Sequence, residues 1–224
     1  MTLILHIETA TQVCSVALSR SGILIESLDF FGEGFEHGEK LTLLIQEVMK
    51  KQKINMAELD AVAVSAGPGS FTGLRIGVST AKGLCYALKI PLIAVDTLYA
   101  MAEIAWEKYP NHTLMPMIDA RRMEVFSIIY SGDKQIVRPI EAEALEEGRN
   151  AEFEPFVCFG DGAEKTKLVW QNRKITIDSD LRPSARGQVA MAFGKFQQKQ
   201  FEDVAYFEPN YLKEFYMAPA KKKD

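Results

Sequence analysis

Apolar positions in this chain follow two different periods, and the switches between them mark its elements. Near the start, the apolar run LILHIE and the alternating VCSVAL predict strands over 3–8 and 13–19. A third strand is predicted at 22–29, with Ser21-Gly22 supplying the turn. The spacing then becomes helical. Leu41, Leu44, Ile45 and Val48 line one face of a helix predicted over 37–51. The apolar run AVAVS predicts a strand at 60–65, followed by a helix over 72–88, a short strand at 91–95 and a helix starting from Asp96. A second meander is predicted over 113–138, then the acidic stretch EAEALEEGRNAEFEP, one further strand and helix, and a helix near 184–198.

The order of events is duplicated. LILHIETATQVCSVAL reads strand, acid, short polar turn, strand, and LMPMIDARRMEVFSIIY repeats it, so Glu8 corresponds to Asp119. The second half of each unit also matches: AVAVSAGPGS and FVCFGDGAEK are apolar runs ending in Gly-x-Gly before a helix, the latter at Gly160 and Gly162. Two lobes of similar topology are expected, 1–108 and 109–224, with the boundary where AMAEIAWEKY meets Pro110.

The stretch Ala61–Leu88 is the most informative. Gly67 and Gly69 can take dihedrals forbidden to side chains and let another group approach the main chain closely. Ser70 or Thr72 can cap the following helix. The spacing matches neither a Walker A loop nor the dinucleotide fingerprint, and Gly69-Ser70-Phe71-Thr72-Gly73 has one residue too many for a nucleophile elbow. Gly73, Gly77, Ala81 and Cys85 recur every four residues on one helix face. Glycine inside a helix costs about 1 kcal/mol relative to alanine, so close approach by another element, of this chain or of another, is expected along that stripe.

Composition narrows the classes. A hydrophobic fraction of 47% supports a packed core, and a net charge of −4 gives no general attraction to nucleic acid or an anionic membrane. No segment has the length of a membrane span, and MTLILHIETATQ lacks the basic region of a signal peptide. Cys14, Cys85 and Cys158 stand in apolar surroundings without metal-ligand spacing, which predicts buried reduced thiols and a cytoplasmic location. The ending MAPAKKKD reads as a solvated tail.

Two duplicated lobes, each with an acid at its first hairpin, resemble the actin-like ATPase fold of sugar kinases, Hsp70 and actin. Closer still, SAGPGSFTGLRIGVSTAKGL, with HGEKL upstream and DARRMEVF and GDGA downstream, is similar to the TsaB (YeaZ) family over nearly the whole chain. The resemblance implies an α/β fold of two tandem actin-like (RNase H-like) lobes, each a mixed sheet flanked by helices. It further implies a non-catalytic subunit for threonylcarbamoyladenosine formation in tRNA. Its expected partners are a TsaD-type transferase subunit and a TsaE-type ATPase subunit, with tRNA reached through the complex and a homodimer when the chain is alone. ATP and magnesium would be used by the complex, with no cofactor required by this chain.

Carried onto these residues, the resemblance predicts no metal site and no catalytic residue. Catalytic relatives place metal-binding histidines after an Ile-Pro-x-Ile-x-Val strand, whereas IPLIAV is followed here by DTLYAMAE, with Thr97 and Met101 in those places. Glu8, Thr9 and Thr11, then Asp119, then Gly160, Asp161 and Gly162 match the turns that hold nucleotide in the actin-like fold, implying a vestigial cleft. Arg121, Arg122 and Met123 replace the glycines that would admit phosphate to the backbone. Read without the resemblance, Glu8 and Asp119 simply cap turns. The expected partner interface comprises Leu41, Leu44 and Val48 with Gly73, Gly77 and Ala81. The alternative reading is an autonomous actin-like ATPase or phosphotransferase. A metalloprotease would need ligands this sequence does not supply.

Overall fold

The computed structural model describes residues 1–32 and 36–212, so the tail sequence MAPAKKKD lies outside the described residues. Strands β1 (Leu3–Glu8), β2 (Val13–Arg20) and β3 (Ile23–Phe31) form the first meander, and β4 (Ala61–Ser65) and β5 (Leu92–Val95) extend the sheet beyond β1. The resulting order is β3-β2-β1-β4-β5, antiparallel through the meander and parallel across β1, β4 and β5. The second sheet, made of β6 (Thr113–Asp119), β7 (Glu124–Tyr130), β8 (Ile136–Ala144), β9 (Phe156–Phe159) and β10 (Ile175–Asp178), has the order β10-β9-β6-β7-β8. Its pairings repeat the same pattern of antiparallel meander and parallel extension. The duplication read from the sequence is therefore a duplication of topology.

Every residue of β1, β4 and β5 is buried, because both faces of the first sheet are covered. On one face, α1 (His37–Gln52) and α2 (Phe71–Leu88) pack on Leu3, Leu5, Ile7, Val62 and Val64. On the other face, Ile4, Ala61, Ala63, Ile93 and Val95 meet Ala100 of α3 (Thr97–Lys108) and Ala192 of α5 (Val189–Gln197). Helix α3 is apolar nearly all round, and for that reason it is enclosed on both sides. Its Leu98, Met101, Ala105 and Trp106 pack on the second sheet, against Leu114, Ile118, Phe126 and Phe159. The outer face of the second sheet packs on the short helix α4 (Thr166–Val169) and Trp170. Although α5 follows the second sheet in the chain, it returns to cover the first.

Two elements differ from expectation. Strand β8 runs on to Ala144 through the acidic stretch, because buried Glu143 is held by Arg138 at 3.0 Å, Arg149 at 2.8 Å and Asn150 at 3.0 Å, with Ser127 donating as well. The sequence reading had no strand at β10, whose four residues are only partly apolar and pair with β9. The cysteines are free and buried, as expected. Among the described residues, no helix is long and apolar enough to cross a membrane.

Candidate functional site

The two acid-bearing turns sit at the ends of β1 and β6, and their surroundings differ. In the first, Glu8, Thr9 and Thr11 are 0%, 1% and 5% exposed. One carboxyl oxygen of Glu8 accepts the Ala10 N–H at 2.6 Å, while Oε2 has no partner. Thr9 Oγ1 donates to the Gly73 carbonyl at 2.8 Å, the Ser70 N–H donates to the Ala10 carbonyl at 2.6 Å, and Thr11 Oγ1 accepts the Val13 N–H at 3.3 Å. Gln188 donates from Nε2 to the Ile7 carbonyl at 2.8 Å, and its own Oε1 is also buried without a partner. Burial pushes the Glu8 carboxyl up to about 7, opposed by the hydrogen bond from Ala10 and by the nearby Ser65, Gln188 and Thr9 dipoles. A desolvated carboxyl prefers its neutral form. The first turn is thus closed and hydrogen-bonded within the chain.

The glycine loop explains the closure. Ser70, not Thr72, caps α2, accepting the Gly73 N–H at 3.2 Å. A Cβ on Gly69 would lie 2.5 Å from the Ala10 carbonyl oxygen, one on Gly73 2.1 Å from the Thr9 carbonyl oxygen, and one on Gly77 2.2 Å from Thr9 Oγ1. Gly67, at φ +108°, faces the Asn210 carbonyl oxygen at 2.6 Å in the same sense. The element that the small-residue stripe admits is this chain's own first turn.

That placement leaves little of the predicted interface at the surface of this chain. Leu41, Val48 and Ala81 are 1%, 0% and 0% exposed within the first core, and Gly73 and Gly77 are buried against Thr9. Leu44 alone of the six is partly exposed, and it too packs on that core. A helical period identifies a face but not what the face meets, and here the sheet and first turn take it. Within α2 the glycine without an internal use is Gly83, exposed and with no atom within 4 Å of the place its Cβ would occupy. Its signal in the sequence was its position off the 73/77/81 stripe.

In the second lobe the predicted residues do come together. The Asp119 N–H donates to Asp161 Oδ1 at 2.9 Å, and Asp119 Oδ1 accepts the Arg121 N–H at 2.6 Å and Lys165 Nζ at 2.5 Å. Gly160, at φ +98°, seats the Met117 carbonyl oxygen and Met101 Cε within 2.5 Å of where a Cβ would stand, and Gly162 abuts Ile118. Lys165 had no motif to announce it. No hydrogen bond or ion pair among the described residues joins Glu8, Thr9 or Thr11 to Asp119 or Asp161. A cleft of about 520 Å³ lies instead between β3, α3 and residues 180–186, where Arg182 stacks on Phe31 at 3.7 Å and Arg186 pairs with Glu107 at 2.7 Å. None of the seven predicted cleft residues lines it.

Thr97 and Met101 are both fully buried in α3. Among the described residues, no group of three or more His, Cys, Asp or Glu side chains could hold a metal.

Two mixed sheets of repeated topology, with a shared helix between them, define tandem lobes of the actin-like class. Component A of (R)-2-hydroxyglutaryl-CoA dehydratase from Acidaminococcus fermentans shares this fold at 8% identity, with a TM-score of 0.51 over 89% of this chain and 100% of that one. The family described as "TsaD: tRNA N6-adenosine threonylcarbamoyltransferase" matches residues 35–214. The Escherichia coli tRNA threonylcarbamoyladenosine biosynthesis protein TsaB is 29% identical across 94% of both chains. YeaZ from Pseudomonas aeruginosa superimposes with a TM-score of 0.79 at 26% identity, covering 95% of this chain and 100% of its own. The chain belongs to the TsaB/YeaZ family, within the wider group that the transferase family describes.

Proposed function

We propose that this chain is a non-catalytic subunit in the formation of threonylcarbamoyladenosine in tRNA, acting by binding a TsaD-type transferase subunit, with a TsaE-type ATPase joining them. The observation that carries the reading is family membership over 94% of the chain combined with the closed first turn. Glu8, which would meet a nucleotide's metal in an actin-like enzyme, points its carboxyl into a buried pocket occupied by Ser65 and Gln188. Met101 packs against Gly160 where a catalytic relative would hold a metal ligand. Neither arrangement suits phosphoryl or threonylcarbamoyl transfer by this chain, so ATP and magnesium belong to the other subunits. We assign the protein to the cytoplasm, where tRNA is modified.

The partner surface is proposed on the outer sides of α1 and α2, which lie side by side on the first sheet. Tyr86 is 82% exposed and Leu43 58% exposed there, and Gly83 gives α2 a spot without a side chain. An interior helix glycine with no neighbour costs about 1 kcal/mol that nothing in the chain offsets, and close approach by a partner helix would offset it. Gly83→Ala is therefore expected to raise the stability of the isolated chain by about 1 kcal/mol. Gly83→Leu should leave the fold intact and weaken transferase binding at least tenfold in a titration. Unchanged binding would remove α2 from the interface.

The decisive assay is reconstitution of the transferase, the ATPase subunit, threonylcarbamoyl-adenylate synthase, ATP, threonine, bicarbonate and tRNA, with and without this chain. Nucleoside analysis should find threonylcarbamoyladenosine only when the chain is present. Equal product without it would overturn the reading. ATP turnover by the isolated chain, lost in Glu8→Ala, would favour an autonomous ATPase instead.

A further inference from the structure

We propose that the tip of the β6–β7 hairpin is a contact for the phosphate backbone of RNA, made by Arg121 and Arg122; this rests on the reading of the chain as part of a tRNA-modifying assembly. Both residues have left-handed backbones, at φ +68° and +50°. Such dihedrals suit glycine and asparagine, and cost about 1 kcal/mol at each residue with a larger side chain. Arginine at both positions is thus a poor choice for the turn itself.

Both side chains are exposed. Arg149 is engaged with Glu141 and Glu143, Arg173 with Glu154, and Arg186 with Glu107. Arg121 and Arg122 have no side-chain partner among the described residues. Of the two acids that flank the turn, Asp119 accepts the Arg121 backbone N–H at 2.6 Å and Lys165 Nζ at 2.5 Å, and Glu124 is itself engaged. Lys165 also donates to the Glu124 carbonyl at 3.0 Å, bracing the far side of the turn. The hairpin therefore holds two guanidinium forks on a fixed base, with Asp119 neutralised by Lys165.

The chemistry that fits is phosphate, which a guanidinium binds through paired N–H donors. The shape favours a polyanion over a small nucleotide. The tip is a run of exposed residues, with Met123 41% exposed beside the two arginines, whereas a small ligand needs enclosure on several sides. A strand of phosphates needs only surface cations, and its affinity comes from released counterions. With a net charge of −4, the chain as a whole gives RNA no general attraction, so any contact must be local.

The test uses Arg121→Asn/Arg122→Gly, which removes both charges while giving the turn residues that accept its backbone. Reconstituted assemblies carrying wild-type or variant chain would be titrated with fluorescent tRNA across a range of salt. Affinity should fall about tenfold or more, and the slope of log affinity against log salt should shrink by about 1 to 2, while the melting temperature of the variant stays equal or rises. Arg121→Lys/Arg122→Lys should retain most of the affinity. Unchanged tRNA affinity and salt slope in a well-folded variant would overturn the proposal. So would a loss confined to ATP binding, or a loss of assembly that marks the tip as a protein contact. If wild-type assemblies make the modified nucleoside while the variant binds tRNA normally, the tip proposal alone fails. If the wild-type assembly neither makes the nucleoside nor binds tRNA, the functional reading fails with it.

Discussion

Gly73→Ala is expected to destabilise the fold by about 3 kcal/mol, lowering the melting temperature by roughly 6 to 12 °C in a chain of this size. The added methyl would stand 2.1 Å from the Thr9 carbonyl oxygen, a backbone atom in the buried first turn. Neither side can yield cheaply. Thr9 is tied by its hydroxyl to the Gly73 carbonyl, and the Ser70 and Ala10 backbones are bonded directly at 2.6 Å. The helix would have to lift off β1 and take Ala81 and Val78 out of the first core. Gly83→Ala provides the contrast within the same helix, since its methyl meets nothing. Calorimetry of the two variants should give shifts of opposite sign. A Gly73→Ala protein melting within a degree of the parent would mean that α2 does not seal the turn. By the same comparison Gly77, where an added Cβ would stand 2.2 Å from Thr9 Oγ1, cannot serve to test partner binding, because a leucine there would disrupt the monomer first.

Glu8→Gln should remove a pH dependence of stability that wild type hides. The Glu8 carboxyl titrates at about 7 in the folded chain, against 4.5 without burial. Below about pH 4.5 it is protonated in both states. As pH rises towards 7 the unfolded chain releases the proton first, so stability falls by roughly 3 kcal/mol in total. His6 acts in the opposite direction. Burial lowers it from 6.5 to about 3, so stability falls as pH drops through that window. Between about pH 4.5 and 6.5 the two slopes cancel. In Glu8→Gln the amide keeps the acceptor for the Ala10 N–H and has no charge to desolvate. Urea unfolding should find the variant close to wild type at pH 4 and more stable by roughly 3 kcal/mol at pH 8. A difference that does not change with pH would mean that Glu8 is ionised in the fold throughout.

The duplicated topology was legible because its signals are local. Alternation, an acid at a hairpin and a glycine pair after an apolar run each occupy fewer than about ten residues, and each recurs. The direction of the small-residue stripe was not legible. Gly73 and Gly77 announce close approach, but Thr9 lies some sixty residues earlier, and only the β1–β4 pairing brings it under α2. The burial of Glu143 was not legible for a related reason. A carboxylate in an acidic stretch looks solvated until Arg138 and Arg149 arrive from positions that share no pattern with it. The bond of Gln188 to the Ile7 carbonyl, next to Glu8, spans nearly the whole chain, and the exposure of Arg121 and Arg122 follows from a turn whose dihedrals the residue types argue against.

The return of α5 to the first sheet has a consequence for synthesis. Ile4, Ala63, Ile93 and Val95 leave the ribosome early, yet Ala192, with Met191, Phe193 and Phe196 beside it, arrives only after the second sheet has been made. At about 5 to 20 residues per second, the first sheet waits several seconds with one apolar face only partly covered by α3. A nascent chain paused between residues 108 and 189 carries a nearly finished lobe with a hydrophobic window in it. The same geometry makes the last helix the closing piece of the first lobe, so truncations before residue 189 should aggregate rather than yield a stable N-terminal half.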